Sequence, residues 1–159
     1  NGILFNHESP RRGSNFVTNK VVKTAVQIHK GLRDKLELGN LDSSRDWGHS
    51  KDYVRGMHMI LNQEYRNHGT PDRYDEPKDY VIATGDTRTV RDFCRYTFEQ
   101  LGGMNYEDYV IQNPKFMRPE ELKFLKGDST PIREELGWKP EYTFESMLDE
   151  MIEFWMNNV

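Results

Sequence analysis

The sequence predicts an α/β fold whose parallel sheet is incomplete, with only three or four strands. Three observations lead there. Short β-rich runs at Gly2 to Phe5, Lys35 to Leu38 and Tyr80 to Thr84 alternate with stretches of helical period. The strands are too few for a doubly wound sheet, so an edge is left unpaired, and two of them suit the outer part of a larger parallel sheet. The chain also opens directly on a strand-like run, Gly2-Ile3-Leu4-Phe5, with no turn or cap before it, which implies further polypeptide upstream.

Taken in order, Asn6 to Asn15 is read as a polar loop punctuated by Pro10 and Gly13. Val17, Val21, Ala25, Ile28 and Leu32 predict an amphipathic helix over Phe16 to Leu32, with Gly31 as its stop. The strand at Lys35 to Leu38 ends at Gly39-Asn40. A second polar loop, Asp42 to Gly48, leads into a helix from about His49 to Asn62, with Tyr53, Val54, Met57, Ile60 and Leu61 facing inward. Tyr65 to Lys78 carries Gly69, Pro71 and Pro77 without a period and is predicted to be an exposed, mobile insertion.

The strand at Tyr80 to Thr84 ends at Gly85. After it Val90, Phe93, Cys94, Thr97, Phe98 and Leu101 predict a helix capped by Thr89. Asn105 to Lys126 is read as irregular, with Pro119 holding Arg118 extended. Thr130-Pro131 opens a short helix that Gly137 closes. A last helix from about Phe144 is predicted to bury Phe144, Met147, Leu148, Met151, Phe154 and Trp155. Met57, Met59, Met147 and Met151 are read as core rather than as a cofactor box.

With 159 residues, the length favours a single domain over 1–159. Hydrophobic residues make up 35%, charged residues 30% and aromatic residues 12%, which is polar but too aromatic for disorder. The net charge of -4 is spread along the chain and offers no cationic face for nucleic acid. An anionic ligand must therefore meet local arginines. The one cysteine, Cys94, excludes an internal disulfide and a cysteine zinc site and suits a cytoplasmic location. No run reaches the roughly 18 apolar residues of a membrane span, and the opening residues have no signal-peptide pattern.

Three polar clusters interrupt the hydrophobic pattern. Asn6-His7-Glu8-Ser9-Pro10-Arg11-Arg12-Gly13 lies just past the carboxyl end of a predicted parallel strand, where open α/β sheets bind ligands. It reads equally as a phosphate-binding turn with forked guanidinium donors or as a solvated turn. Arg45-Asp46-Trp47-Gly48-His49, followed by Lys51-Asp52-Tyr53, runs into a helix amino terminus that favours anions. By itself this string is better read as local capping and packing. His49 has no partner at metal-ligand spacing and reads as a surface or helix-capping histidine, as do His29, His58 and His68 in their own places. In Phe116-Met117-Arg118-Pro119-Glu120-Glu121 a stiff backbone presents Arg118 for a phosphate and Glu121 for sugar hydroxyls, or the two simply pair.

No Gly-rich dinucleotide fingerprint follows a strand, and no phosphate-loop motif is present. Tyr74 and Lys78 have Tyr-x-x-x-Lys spacing but fall in the Pro-flanked insertion, where no helix would align them.

Read together, the first cluster, Phe16-Val17-Thr18, Leu38-Gly39-Asn40, Arg45-Asp46-Trp47-Gly48-His49, Lys51-Asp52-Tyr53, Tyr80-Val81-Ile82-Ala83-Thr84-Gly85, Arg118-Pro119 and Leu136-Gly137-Trp138-Lys139-Pro140 resemble the GDP-mannose 4,6-dehydratases. The resemblance spans essentially the whole chain, and the first cluster is its most specific part. It implies the carboxy-terminal substrate-binding part of an extended Rossmann-type enzyme that turns GDP-mannose into GDP-4-keto-6-deoxymannose, with NADP as internal hydride carrier. By the same resemblance Asn6, Val17, Lys20, Arg45, Arg118 and Glu121 would contact the GDP-sugar, and His7 and Arg12 the NADP. The catalytic residues and the dinucleotide fingerprint would lie upstream, so the chain alone would hold none and be inactive.

The resemblance further implies a homo-oligomer, or association with a separate amino-terminal half. A non-catalytic GDP-sugar-binding subunit and a related nucleotide-sugar epimerase or reductase are the alternatives. Three departures from the family pattern stand out. Asn19 replaces a commonly basic residue, Tyr65 to Lys78 is lengthened, and Asn105 to Lys115 matches poorly.

Overall fold

A computed structural model of the chain describes residues 1–62, 78–120 and 122–159. Its elements in order are β1 (Gly2–Leu4), β2 (Asn6–Glu8), α1 (Val17–His29), β3 (Leu36–Leu38), β4 (Ser44–Arg45), β5 (Trp47–His49), α2 (Ser50–Leu61), β6 (Tyr80–Ile82), β7 (Arg88–Thr89), α3 (Val90–Gln100), β8 (Val110–Gln112), α4 (Thr130–Leu136) and α5 (Phe144–Asn158). Short 3₁₀ turns lie at Tyr106–Asp108 and Pro114–Phe116.

The α/β class holds, but the described strands are more numerous and shorter than predicted. They form two-stranded pairings, parallel for β1 with β6, β2 with β5 and β3 with β8, and antiparallel for β4 with β7. Residues 2–8 run as one extended stretch that changes partner midway. Gly2 to Leu4 pair with Tyr80 to Ile82, the Phe5 amide still donates to the Ile82 carbonyl at 3.0 Å, and Asn6 to Glu8 then pair with Trp47 to His49.

Two segments read as polar loops therefore contain strands: Asn6 to Glu8 in the first, and Ser44-Arg45 with Trp47 to His49 in the second. Their polar side chains hid them, because hydrophobic alternation cannot see buried groups that are satisfied by hydrogen bonds. The Asn105 to Lys126 segment likewise holds β8. The predicted insertion falls on residues 63–77, outside the described residues; Lys78 beyond it pairs with Glu135 at 2.9 Å.

The helices follow their start and stop signals. Gly31 has a φ of 70° just past α1, so Leu32 leaves the helix and is exposed. Thr89 and Asp92 form a capping box on α3, and Thr143 with Ser146 does the same on α5. Gly137, at φ 71°, closes α4 in the left-handed conformation.

The main core lies between α1, α3 and α5. Val21, Val22, Ala25 and Val26 of α1 meet Phe93, Cys94 and Phe98 of α3 and Met147, Leu148 and Met151 of α5, joined by Leu36, Leu38 and Trp47. Phe154, expected inside, is 38% exposed because Ile152 takes the inward position.

A second, smaller core joins Tyr53, Tyr80, Ile82, Ile132 and Trp138. It corrects the expected inner face of α2. Asp52, Tyr53 and Gly56 are the buried residues of that helix, while Val54, Met57 and Leu61 point out at 61%, 41% and 80% exposure. Two contacts decide the rotation. The Trp138 indole donates to the Asp52 carbonyl at 2.9 Å, and a side chain at position 56 would come within 2.8 Å of Ile82. Met57 is thus not core, whereas Met147 and Met151 are. Among the described residues, no helix is long and apolar enough to cross a membrane.

Candidate functional site

The change of partner between β1 and β2 delivers residues 6–13 to the carboxyl end of the β1/β6 pair. The Glu8 side chain turns inward and is 1% exposed. Its carboxylate accepts from the Thr18 hydroxyl at 2.6 Å, and Arg12 Nε lies 3.3 Å from it without hydrogen-bond alignment. Burial raises the Glu8 pKa, opposed by the Thr18 hydroxyl and the Arg12 charge. The Arg12 guanidinium also lies over the Phe16 ring, 3.7 Å from its centroid. An exposed aromatic at the start of α1 thus supports a cation.

A second wall comes from β3 and β8. Past β3 the segment 113–117 approaches Gly39 so closely that a Cβ there would sit 2.3 Å from the Phe116 carbonyl oxygen, so this contact requires glycine. The Asn113 amide donates to the Leu38 carbonyl at 2.8 Å and locks that approach. Lys20 reaches across, donating to the Glu37 carbonyl at 2.6 Å with its ammonium 4.1 Å from the Phe116 ring centroid. Its pKa is lowered, chiefly by burial.

The third wall is β4 and the segment beside it. Ser44 donates its amide to the Lys123 carbonyl at 2.9 Å and accepts from the Leu125 amide at 3.1 Å. Arg45 holds the Leu122 carbonyl at 2.7 Å. The stretch carrying Arg118 is thereby tied to the strand carrying Arg45.

These walls enclose one cleft of about 370 Å³, lined among others by Asn6, Arg12, Val17, Lys20, Arg45 and Arg118. Six of the eight residues singled out for ligand contact therefore line one cleft. Among the described residues none that lines it is acidic, so in a chain of net charge -4 the cleft concentrates cationic side chains. His7 lies apart from it, in an adjoining recess with Leu4, Phe5, Leu125 and the shared Asn6 and Arg12. There its Nδ1 donates to the Phe5 carbonyl at 2.8 Å, and its ring stacks on Tyr53 at 4.9 Å. Glu121 lies outside the described residues.

Sequence reasoning missed Asn40, Ser43 and Trp47 as lining residues. Ser43 is 1% exposed, and its hydroxyl has no hydrogen-bond partner among the described residues. No period marks such a residue. The exposed rings of Phe16 and Phe116 are the signal that was available, since an aromatic outside the core asks for a reason.

The neighbours of Arg45 are structural. Asp46 is fully buried and accepts from the amides of Thr84, Gly85 and Gly127 at 2.9, 2.9 and 3.2 Å and from the Thr84 hydroxyl at 2.6 Å. It ties the end of β6 to the approach to α4. His49 caps α2, as one of its two readings had it, but it is buried rather than on the surface. Its Nδ1 accepts from the Lys51 amide at 3.0 Å, so its Nε2 donates to Glu150 at 2.9 Å. Burial lowers its pKa. Among the described residues no group of histidines, cysteines and carboxylates could hold a metal ion.

The fold occurs in solved structures. That of RMD from Pseudomonas aeruginosa complexed with NADPH superposes with a TM-score of 0.83 at 23% identity, over 99% of this chain and 48% of that one. dTDP-glucose 4,6-dehydratase from Bacillus anthracis, in complex with NAD, gives 0.77 at 19% identity, over 99% of this chain and 44% of that one. UDP-glucose 4-epimerase from Thermotoga maritima, with UDP-glucose, gives 0.76 at 20%, over 99% and 45%. The fold is thus that of the Rossmann-type dehydratases and epimerases, seen over about half of their length.

Sequence narrows this class. The family model described as GDP-mannose 4,6 dehydratase matches residues 1–151, and the chain belongs to that family. GDP-mannose 4,6 dehydratase 2 of Arabidopsis thaliana is 46% identical over 96% of this chain and 38% of its own length. The Homo sapiens GDP-mannose 4,6 dehydratase is 41% identical over 96% and 42%, and that of Yersinia enterocolitica 41% over 96% and 45%. The chain spans about two-fifths of the curated relatives it matches.

Proposed function

We propose that residues 1–159 form one ligand-binding unit, the GDP-mannose-binding part of a cytoplasmic GDP-mannose 4,6-dehydratase that yields GDP-4-keto-6-deoxymannose. The observation that carries this reading is that guanidinium groups from three separate segments, Arg12, Arg45 and Arg118, line one cleft in which no described residue is acidic. Arg45 and Arg118 hold the diphosphate through forked, charge-assisted hydrogen bonds, and Lys20 adds a point charge. Val17 and Asn6 complete the substrate wall, and by the family resemblance Glu121, outside the described residues, would accept from sugar hydroxyls.

The residues present fit NADP at its edge. Arg12 keeps a buried Nε that Glu8 approaches without satisfying, and His7 lines the same adjoining recess. The guanidinium donors suit a phosphate of the dinucleotide, and the His7 ring adds a polar edge beside them. When bound, NADP supplies the acceptor and donor of hydride. This chain's own residues bind and orient the sugar nucleotide, while proton and hydride transfer rest on other polypeptide, because the sequence carries no dinucleotide fingerprint and its one Tyr-x-x-x-Lys spacing, Tyr74 to Lys78, is interrupted by Pro77. β1 has β6 as its only partner among the described residues, and Ile3 beside its outer edge is 51% exposed, which supports assembly with that polypeptide or with further copies.

Calorimetric titration with GDP-mannose, UDP-glucose and dTDP-glucose tests the reading. GDP-mannose is expected to bind most tightly, and equal affinity for all three would defeat it. The purified chain alone is expected to form no 4-keto product with GDP-mannose and NADP. A measurable rate would overturn the assignment of chemistry to other polypeptide.

A further inference from the structure

Asn19 joins two parts of the chain that are distant in sequence. Its side chain is 2% exposed and makes two hydrogen bonds of opposite sense. The amide nitrogen donates to the backbone carbonyl of Arg12, and the amide oxygen accepts from the indole Nε1 of Trp155 at 2.6 Å. An indole N–H only donates and a carbonyl only accepts, so the orientation of the amide is determined. A lysine or arginine there would serve Arg12 but not the indole, and an aspartate would serve the indole but not Arg12.

Trp155 stands near the end of α5, outside residues 1–151 matched by the family model. It is fixed by Phe154 in an edge contact at 5.2 Å and by the Lys23 ammonium 4.6 Å from its ring. The arginine segment is thus held at two points by consecutive residues of α1. Thr18 holds Glu8, which faces the Arg12 guanidinium, and Asn19 holds the Arg12 backbone. The Asn19 side chain of the second hold itself bonds a residue of the carboxy-terminal helix.

We propose that Asn19 and Trp155 act as a positioning pair that sets the Arg12 segment of the cleft from the end of α5. The coupling itself is independent of the ligand. Its effect on binding rests on the GDP-sugar reading above. Trp155→Phe keeps the packing and removes the donor, whereas Asn19→Leu removes both bonds.

Hydrogen exchange on the unliganded full chain tests the coupling through the amides of Arg12 and Phe16, which close turns onto the Ser9 and Gly13 carbonyls at 3.0 Å each. Trp155→Phe is expected to speed their exchange roughly two- to tenfold, the effect of losing one hydrogen bond, with α3 unchanged. Asn19→Leu should do at least as much, and the double variant no more than Asn19→Leu. GDP affinity, measured by calorimetry, is expected to fall roughly two- to tenfold in both single variants. Unchanged exchange at Arg12 and Phe16 in Trp155→Phe would overturn the pair. Failure of the parent chain to bind GDP would instead defeat the functional reading, with the exchange result still deciding the coupling.

Discussion

The two hydrophobic clusters differ in how they are closed. The one between α1, α3 and α5 is sealed by apolar side chains from three helices, and the walls of the cleft are built on it. The smaller one around Tyr53, Ile82 and Trp138 leaves apolar side chains of α2 in solvent. Polar pins at Asp46 and Asp52 hold this second cluster. Asp52 accepts from Arg55 at 2.8 Å and from the amides of Glu141 and Tyr142 at 3.0 Å each. Where apolar area is scarce, buried carboxylates with several donors each take over the task of fixing neighbouring segments. The cleft is therefore anchored to the deeper core, and the thinner side presents a face that other polypeptide can cover.

The comparison breaks if large truncations on both sides cost the same. Phe93→Ala, in the sealed cluster, is expected to lose about 3–5 kcal/mol in urea unfolding, the range for a fully buried aromatic. Asp46→Ala should lose less, about 1–3 kcal/mol in all, since water can reach the freed donors of the half-buried Gly85 turn, and its unfolding should respond more than that of the exposed Asp86→Ala.

His49 links the sides, since it begins α2 and bonds Glu150 of α5. Its folded pKa is depressed below the ordinary 6.5 by burial, so the fold favours the neutral ring. That contribution is full above pH 6.5 and is lost as pH falls below it toward the lowered folded value. Thermal melts at pH 7.5 and 5.5 should show a loss at the lower pH that shrinks in His49→Gln. The smallest effect is expected at Leu61→Ser, within about 0.5 kcal/mol, because that side chain is 80% exposed. A loss of core size there would mean that the face is covered within the chain itself.

Much of this was legible beforehand, for reasons that can be named. The stripes of α1, α3 and α5 were readable because they bury apolar groups at helical spacing, and Thr89, Gly31 and Gly137 announced the ends. β2 and β5 were not, since Glu8, Asp46 and His49 are buried through hydrogen bonds that no period encodes. The rotation of α2 was hidden for the same reason. Its inward position is Gly56, chosen by Trp138 and Ile82, while hydropathy alone points to Val54 and Leu61. Of the cleft, the arginines were readable as residue types with forked donors. Their convergence was not, because it depends on Gly39 admitting Phe116 and on Arg45 gripping the Leu122 carbonyl.

Titration of the chain and of Arg45→Ala and Arg118→Ala with GDP and with guanosine tests the arginine cleft most directly. Each substitution is expected to weaken GDP by roughly 1.5–3 kcal/mol, about ten- to a hundredfold, while leaving guanosine unchanged. GDP affinity that survives both substitutions would contradict the account.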